Sequence, residues 1–177
     1  MEQFKSFITE EVQNDKITVI ILTNSKSKKP EIVTGMLLKA CADLGLSCYR
    51  VVTTEAWVSD NDIEKGMISI KNHDGEEKDI QVETASTVVF VRAGVLQDEI
   101  GLALLGTFQN SGCMMINDLD GMLKCDNKMS AYTAFERNNI QTPRTSLINN
   151  EKSIIDAHDR IGGKFPVIIK TLTGTQG

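Results

Sequence analysis

Short runs of β-branched and aliphatic residues recur along this chain, separated by longer stretches whose apolar positions repeat at helical spacing. This alternation restricts the possible folds more than any other feature of the sequence. Residues 17–22 read Ile-Thr-Val-Ile-Ile-Leu, 47–52 Ser-Cys-Tyr-Arg-Val-Val, 88–92 Val-Val-Phe-Val-Arg and 113–116 Cys-Met-Met-Ile. Near-continuous apolar runs suit strands buried on both faces, as in a parallel sheet. After the first run, Pro30 is expected to open a helix as its first residue. Ile32, Val33, Met36, Leu37, Ala40, Cys41 and Leu44 would line its buried face, and Gly45 would end it. Asp98 is expected to begin a second helix through Ile100, Leu104, Leu105 and Phe108, closed by Gly112. Residues 67–70 and 78–82 alternate around His73-Asp74-Gly75, a hairpin signal. Phe4, Phe7, Ile8 and Val12 predict a short amphipathic helix over residues 2–13. The expectation is a small α/β domain with a mostly parallel sheet and an inserted hairpin.

Composition narrows the function. A net charge of −5 argues against a nucleic-acid surface. No apolar run approaches the ~20 residues of a membrane span. The first residues lack the basic and apolar regions of a secretory signal, so a cytoplasmic protein is expected. The cysteines Cys41, Cys48, Cys113 and Cys125 form no Cys-x-x-Cys pair, and His73 and His158 lie far from them, which argues against zinc. Cys41, Cys48 and Cys113 are expected as reduced thiols in the core. His73 reads as a turn residue, His158 as a packed neutral ring and Trp57 as a packing residue. The loop after the first run carries Lys26, Lys28 and Lys29. Its better reading is a solvated loop; the other is an anion-contacting loop at the end of a sheet strand.

The pattern changes near residue 120, so a first domain over 1–122 and a second over 123–177 are expected. Residues 118–124 look like a linker with a helical turn. Asp126 or Asn127 would cap a helix through Met129, Tyr132, Thr133 and Glu136, stopped by Asn138-Asn139. Asn150 would cap another through Ile154, Ile155, His158 and Ile161, ended by Gly162-Gly163. Behind Pro166, the run Val167-Ile168-Ile169 reads as a buried strand, with Lys170 at its end and Gly174-Thr175-Gln176-Gly177 after it. A cation beside flexible glycine backbone is an arrangement that can hold a phosphate chain. It matches neither Gly-x-x-x-x-Gly-Lys-Ser/Thr nor Gly-x-Gly-x-x-Gly.

The order of Asn117, the Cys125-Asp126-Asn127-Lys128-Met129-Ser130 segment, Asn139-Ile140-Gln141-Thr142-Pro143-Arg144-Thr145, Gly162-Gly163 and the Lys170 strand before Gly-Thr-Gln-Gly resembles the ATP-grasp ligases, specifically the RimK-type branch. The resemblance covers roughly residues 88–177. It implies a pre-ATP-grasp-like α/β domain followed by the truncated start of an ATP-grasp α+β domain. The implied activity is ATP-dependent ligation of a carboxylate to an amine through an acyl phosphate, with an amino-acid, peptide or protein substrate. Lys170 would reach the α-phosphate and adenine side of ATP, and Gly174, Thr175, Gln176 and Gly177 would close over the β- and γ-phosphates. By the same resemblance Lys128 would meet phosphate, the alternative being a solvated helix lysine. Arg92 stands where the family often has an arginine and would orient the acyl substrate, the alternative being an arginine snorkelling from a strand end. The family's acidic Mg²⁺ ligands are expected beyond residue 177, so the chain reads as the first part of a ligase, inactive alone. A homo-oligomer is compatible with this reading; a nucleic-acid or membrane partner is not expected. Two alternatives stay open: a non-catalytic binding or regulatory module on the same fold, and a glutathione-synthase-like or D-alanine-ligase-like branch.

Overall fold

A computed structural model describes residues 17–27, 29–74, 79–92, 94–97 and 99–174. The helix expected over 2–13, Lys28, the hairpin turn at 75–78, Asp98, and Thr175, Gln176 and Gly177 lie outside the described residues. The chain is a mixed α/β structure that divides into two compact units, Met1–Leu119 and Asp120–Gly177.

The first unit is built from β1 (Thr18–Thr23), α1 (Ile32–Asp43), β2 (Ser47–Val52), β3 (Ala56–Trp57), α2 (Asp60–Glu64), β4 (Met67–Lys71), β5 (Asp79–Glu83), β6 (Thr87–Val91), α3 (Glu99–Asn110) and β7 (Met114–Ile116). Four strands form a parallel sheet in the order β2-β1-β6-β7. The β1-to-β2 and β6-to-β7 connections run in opposite directions across this sheet. Right-handed crossovers then put α1 and α3 on opposite faces. Side chains alternate along β1 accordingly. Ile17, Val19 and Ile21 pack with Cys41, Val88 and the α1 residues Leu37 and Leu38. Ile20, Leu22 and Val89 point the other way and are fully buried, as are Leu105 and Phe108 of α3.

The inserted hairpin is β4 paired antiparallel with β5, from Met67 opposite Glu83 to Lys71 opposite Asp79. Sequence alone misses the third strand of this small sheet, β3, which is two residues long and pairs Ala56 with Ile70. Trp57, expected to pack, is 41% exposed there. His73 does sit at the turn, its backbone N–H donating to Arg50 O at 2.8 Å and its Nδ1 3.0 Å from Glu55 Oε1.

Helix α1 departs from expectation twice. It begins at Ile32 with Glu31 as its N-cap, so Pro30 precedes the helix. Its buried residues are Thr34 and Cys41, flanked by the partly buried Leu37 and Leu38, while Ile32 is 84% exposed and Val33, Met36 and Leu44 are also exposed. The helix carries two apolar stripes, and the one that faces the sheet is fixed by the β1–α1 connection, which hydropathy does not report. Buried within β2 is a charged residue, Arg50, whose Nε donates to Asp74 Oδ2 at 2.7 Å, whose Nη2 also pairs with Asp74, and whose Nη1 donates to the Ser27 carbonyl at 2.9 Å.

The second unit carries α4 (Leu119–Asp126), α5 (Lys128–Arg137) and α6 (Ile154–Arg160), with α4 starting at the boundary. The stretch read as a linker is therefore mostly helix. Asn127 caps α5, its Oδ1 accepting the Ser130 N–H at 3.0 Å, and Asn139 ends it with φ 54°. Asn150 caps a 3₁₀ turn, Glu151–Ser153, that leads into α6, and Gly162 and Gly163 follow with φ 115° and 64°.

The buried strand expected at 167–169 is not formed. Ile168 is 82% and Ile169 72% exposed, and the segment joins no strand ladder among the described residues. A strand needs a neighbour 4.7–4.9 Å away to satisfy its backbone. None of the described residues supplies one here, whatever the β-propensity of the run.

Candidate functional site

In the first unit, the ends of β1 and β6 lie side by side where the order of strands reverses, which is where open α/β sheets leave a crevice. The Arg92 N–H donates to the Leu22 carbonyl at 2.8 Å, continuing the pairing past β6. The Thr23 hydroxyl accepts the Ser25 N–H at 3.1 Å and turns the chain after β1. Gly94 has φ 82°, and a Cβ there would overlap the side chain of Asn24. Glycine thus lets the two loops touch across the crevice. Arg92 is half-buried, and its Nε is buried with no hydrogen-bond partner among the described residues. A guanidinium with an unused in-plane donor at a strand end can donate to a carboxylate. Lys26 and Lys29 are exposed on the adjoining loop.

In the second unit, the start of α5 is bonded to a segment far along the chain. The Lys128 N–H, one of the donors a helix start leaves unpaired, donates to the Leu172 carbonyl at 2.9 Å. The Lys128 ammonium donates to the Gly174 carbonyl at 2.8 Å. Gly174 has φ 91°, a conformation glycine adopts without strain. Next to this junction is a hollow of about 460 Å³ lined by Asn127, Ser130, Thr133, Arg137, Leu147 and Leu172 among others. Its volume falls in the range of small-molecule sites.

The structure therefore brings together Lys128 and Gly174. Lys170 is exposed, and Thr175, Gln176 and Gly177 lie outside the described residues. Arg92 belongs to the other unit. Arg137 and Leu147, which line the hollow, escaped the sequence reading because their meeting depends on the path of the chain between α5 and α6. The Asn24 side chain over Gly94 was missed for the same reason. His158, expected as a packed ring, stacks on Phe165 with centroids 4.6 Å apart and an interplanar angle of 27°, and its Nε2 is buried without a partner among the described residues.

Among the described residues there is no cluster of three or more His, Cys, Asp or Glu, so they offer no metal centre. No described helix is long and apolar enough to cross a membrane.

Residues 125–177 match the RimK-like ATP-grasp domain. Over 89 residues the chain is 33% identical to a probable alpha-L-glutamate ligase of Rhodopirellula baltica, covering 50% of this chain and 22% of the relative. Over 152 residues it is 26% identical to probable alpha-L-glutamate ligase 1 of Shewanella sp. strain ANA-3, covering 85% of this chain and 47% of the relative. It is 31% identical over 70 residues to the alpha-aminoadipate–LysW ligase LysX of Sulfolobus acidocaldarius, covering 40% of this chain and 25% of that one. The matched stretches thus span between about a fifth and a half of these relatives. Residues 125–177 carry RimK-like ATP-grasp sequence, and the chain is similar to proteins named as ligases of alpha-L-glutamate and of alpha-aminoadipate.

Proposed function

We propose that this chain forms part of an ATP-dependent ligase that joins the carboxylate of an acidic amino acid to an amine. In such a reaction the carboxylate takes the terminal phosphoryl group of ATP, and the amine then displaces phosphate to leave an amide. Positioning and charge neutralisation supply most of the catalysis in the first step. The observation that carries the reading is the double attachment of Lys128 to the 172–174 segment, which holds a lysine beside glycine backbone at a helix start. Lys128 and Lys170 would neutralise the triphosphate, and the loop of Gly174, Thr175, Gln176 and Gly177 would close over it with backbone N–H groups. Arg92, with its unused Nε, would hold the acyl donor's carboxylate. The described residues do not make a Mg²⁺ site, and no step is assigned to the metal.

The names of the relatives point to glutamate or alpha-aminoadipate as a substrate; that its carboxylate is the activated group is part of the proposal. The test is hydroxylamine trapping in the full-length protein. Hydroxamate formed only when ATP and glutamate, or a longer homologue such as aminoadipate, are both present supports the reading. ATP binding without hydroxamate or phosphate release from any amino acid would instead favour a non-catalytic module.

A further inference from the structure

Cys41 and Cys48 stand apart from both places described above. Cys41 lies in the last turn of α1 and Cys48 is the second residue of β2. The connection between them is tight: Leu46 N–H donates back to the Cys41 carbonyl at 2.9 Å, and Gly45 turns the chain with φ 70°. That return places both side chains in one cluster under the sheet, with Cys41 buried and Cys48 packed against it. Cys41 is the neighbouring group that acts on the Cys48 thiol. Both are reduced in this structure. Two thiols in one cluster, held by a helix end and a strand start that are themselves tied together, are placed for covalent joining.

We propose that Cys41 and Cys48 are a disulfide-forming pair, oxidised by a low-molecular-weight disulfide such as glutathione disulfide. Cys48 is the more accessible of the two. Its thiolate attacks one sulfur of the oxidant, forming a mixed disulfide and releasing one glutathione thiolate. The Cys41 thiol then loses its proton to solvent and attacks the Cys48 sulfur, releasing the second glutathione. The protein loses two hydrogens and two electrons, and one oxidant becomes two thiols. The product closes the turn at 44–46 and fixes the end of α1 to β2.

Burial, with a smaller contribution from the neighbouring Cys41, pushes the Cys48 thiol up to about 12. At neutral pH its thiolate is scarce, so the pair is a slow one. The rate should therefore keep climbing by about tenfold per pH unit well above pH 9, where an ordinary thiol with a pKa of about 8.5 has levelled off.

The experiment uses the Cys125→Ser protein, which removes the exposed thiol, and glutathione disulfide as the oxidant. Both cysteines fall in one tryptic peptide, residues 40–50. The expected result is that this peptide becomes about 2 Da lighter, reverts on reduction, and forms at the stated pH dependence. Adding Cys41→Ser should stop the reaction at a glutathione adduct on Cys48, and adding Cys48→Ser should abolish it. If residues 40–50 keep both thiols in the folded protein under conditions that oxidise the same peptide in urea, the proposal is overturned. The outcome is independent of whether the chain binds ATP.

Discussion

Lys128 and Gly174 are 46 positions apart, and a hydrogen bond of 2.8 Å from the lysine ammonium to the glycine carbonyl joins them. Among the described residues, it and the backbone bond from Lys128 to Leu172 attach the start of α5 to this segment. Only the side-chain bond is lost in Lys128→Ala. A bond of this kind contributes about 1 kcal/mol net. Tryptic cleavage after Lys170 should then become about fivefold faster, provided cleavage follows local opening. An unchanged cleavage rate would mean that the Lys128 ammonium does not hold the segment.

The Arg50–Asp74 pair should be asymmetric under mutation. Arg50 has 1% of its side chain exposed and Asp74 has 31%. Asp74→Ala strands a buried guanidinium that, among the described residues, keeps the Ser27 carbonyl, and should cost about 3 kcal/mol. Arg50→Met leaves a carboxylate that water can reach and should cost distinctly less. Urea unfolding of the two variants checks the order. Equal losses would indicate that the pair acts through packing alone.

Gly101 offers a test in which local propensity and packing disagree. It lies in α3, where alanine is the better helix former by about 1 kcal/mol. A Cβ there would run into the backbone carbonyl of Val95, with Val95 Cγ1 3.1 Å away. Backbone cannot move aside cheaply, so Gly101→Ala should lower stability by about 1–3 kcal/mol. A stabilised variant would show that the helix sits further from the 95–97 turn than the structure has it.

Cys113 ties stability to alkaline pH. Burial raises its thiol from 9.0 to about 12. The folded state therefore keeps a proton that the unfolded chain releases above about pH 9. Stability from this group is fully present below pH 9 and is lost as pH rises toward 12. Urea midpoints measured at pH 7.5 and pH 10.5 should fall less steeply for Cys113→Ala than for the parent. Parallel declines would remove the thiol from the explanation.

How much of this was legible in the sequence depends on how local each determinant is. Residues 17–22 and 88–92 announced buried strands because a two-sided parallel strand is apolar along its length, and β1 and β6 are both found there. Asn127 and Asn150 announced helix starts because a cap bonds only two or three residues ahead, and both do. The orientation of α1 was not legible, since Ile32, Val33 and Met36 form as good an apolar stripe as Leu37, Leu38 and Cys41. The run Val167-Ile168-Ile169 misled because its β-propensity says nothing of a partner strand. In the candidate sites, Lys128 was marked by its place after Asp126-Asn127. Its bonds to Leu172 and Gly174, the nearness of Asn24 to Gly94, and the position of Arg137 all depend on returns of the chain that no local pattern encodes.

The central proposal is that Lys128, Lys170 and the loop beginning at Gly174 bind the triphosphate of ATP. The most direct measurement is calorimetric titration of a non-hydrolysable ATP analogue into the full-length protein and its variants. Removing a charge-assisted contact costs roughly 1.5–3 kcal/mol, so Lys128→Ala and Lys170→Ala should each weaken binding by about ten- to a hundredfold. Lys170→Arg should recover little of this, because a planar guanidinium replaces a compact point charge. Arg92→Ala, altering the proposed carboxylate contact, should leave the affinity for the analogue unchanged. Affinity undiminished in both lysine variants would contradict the assignment of this segment to the ATP site.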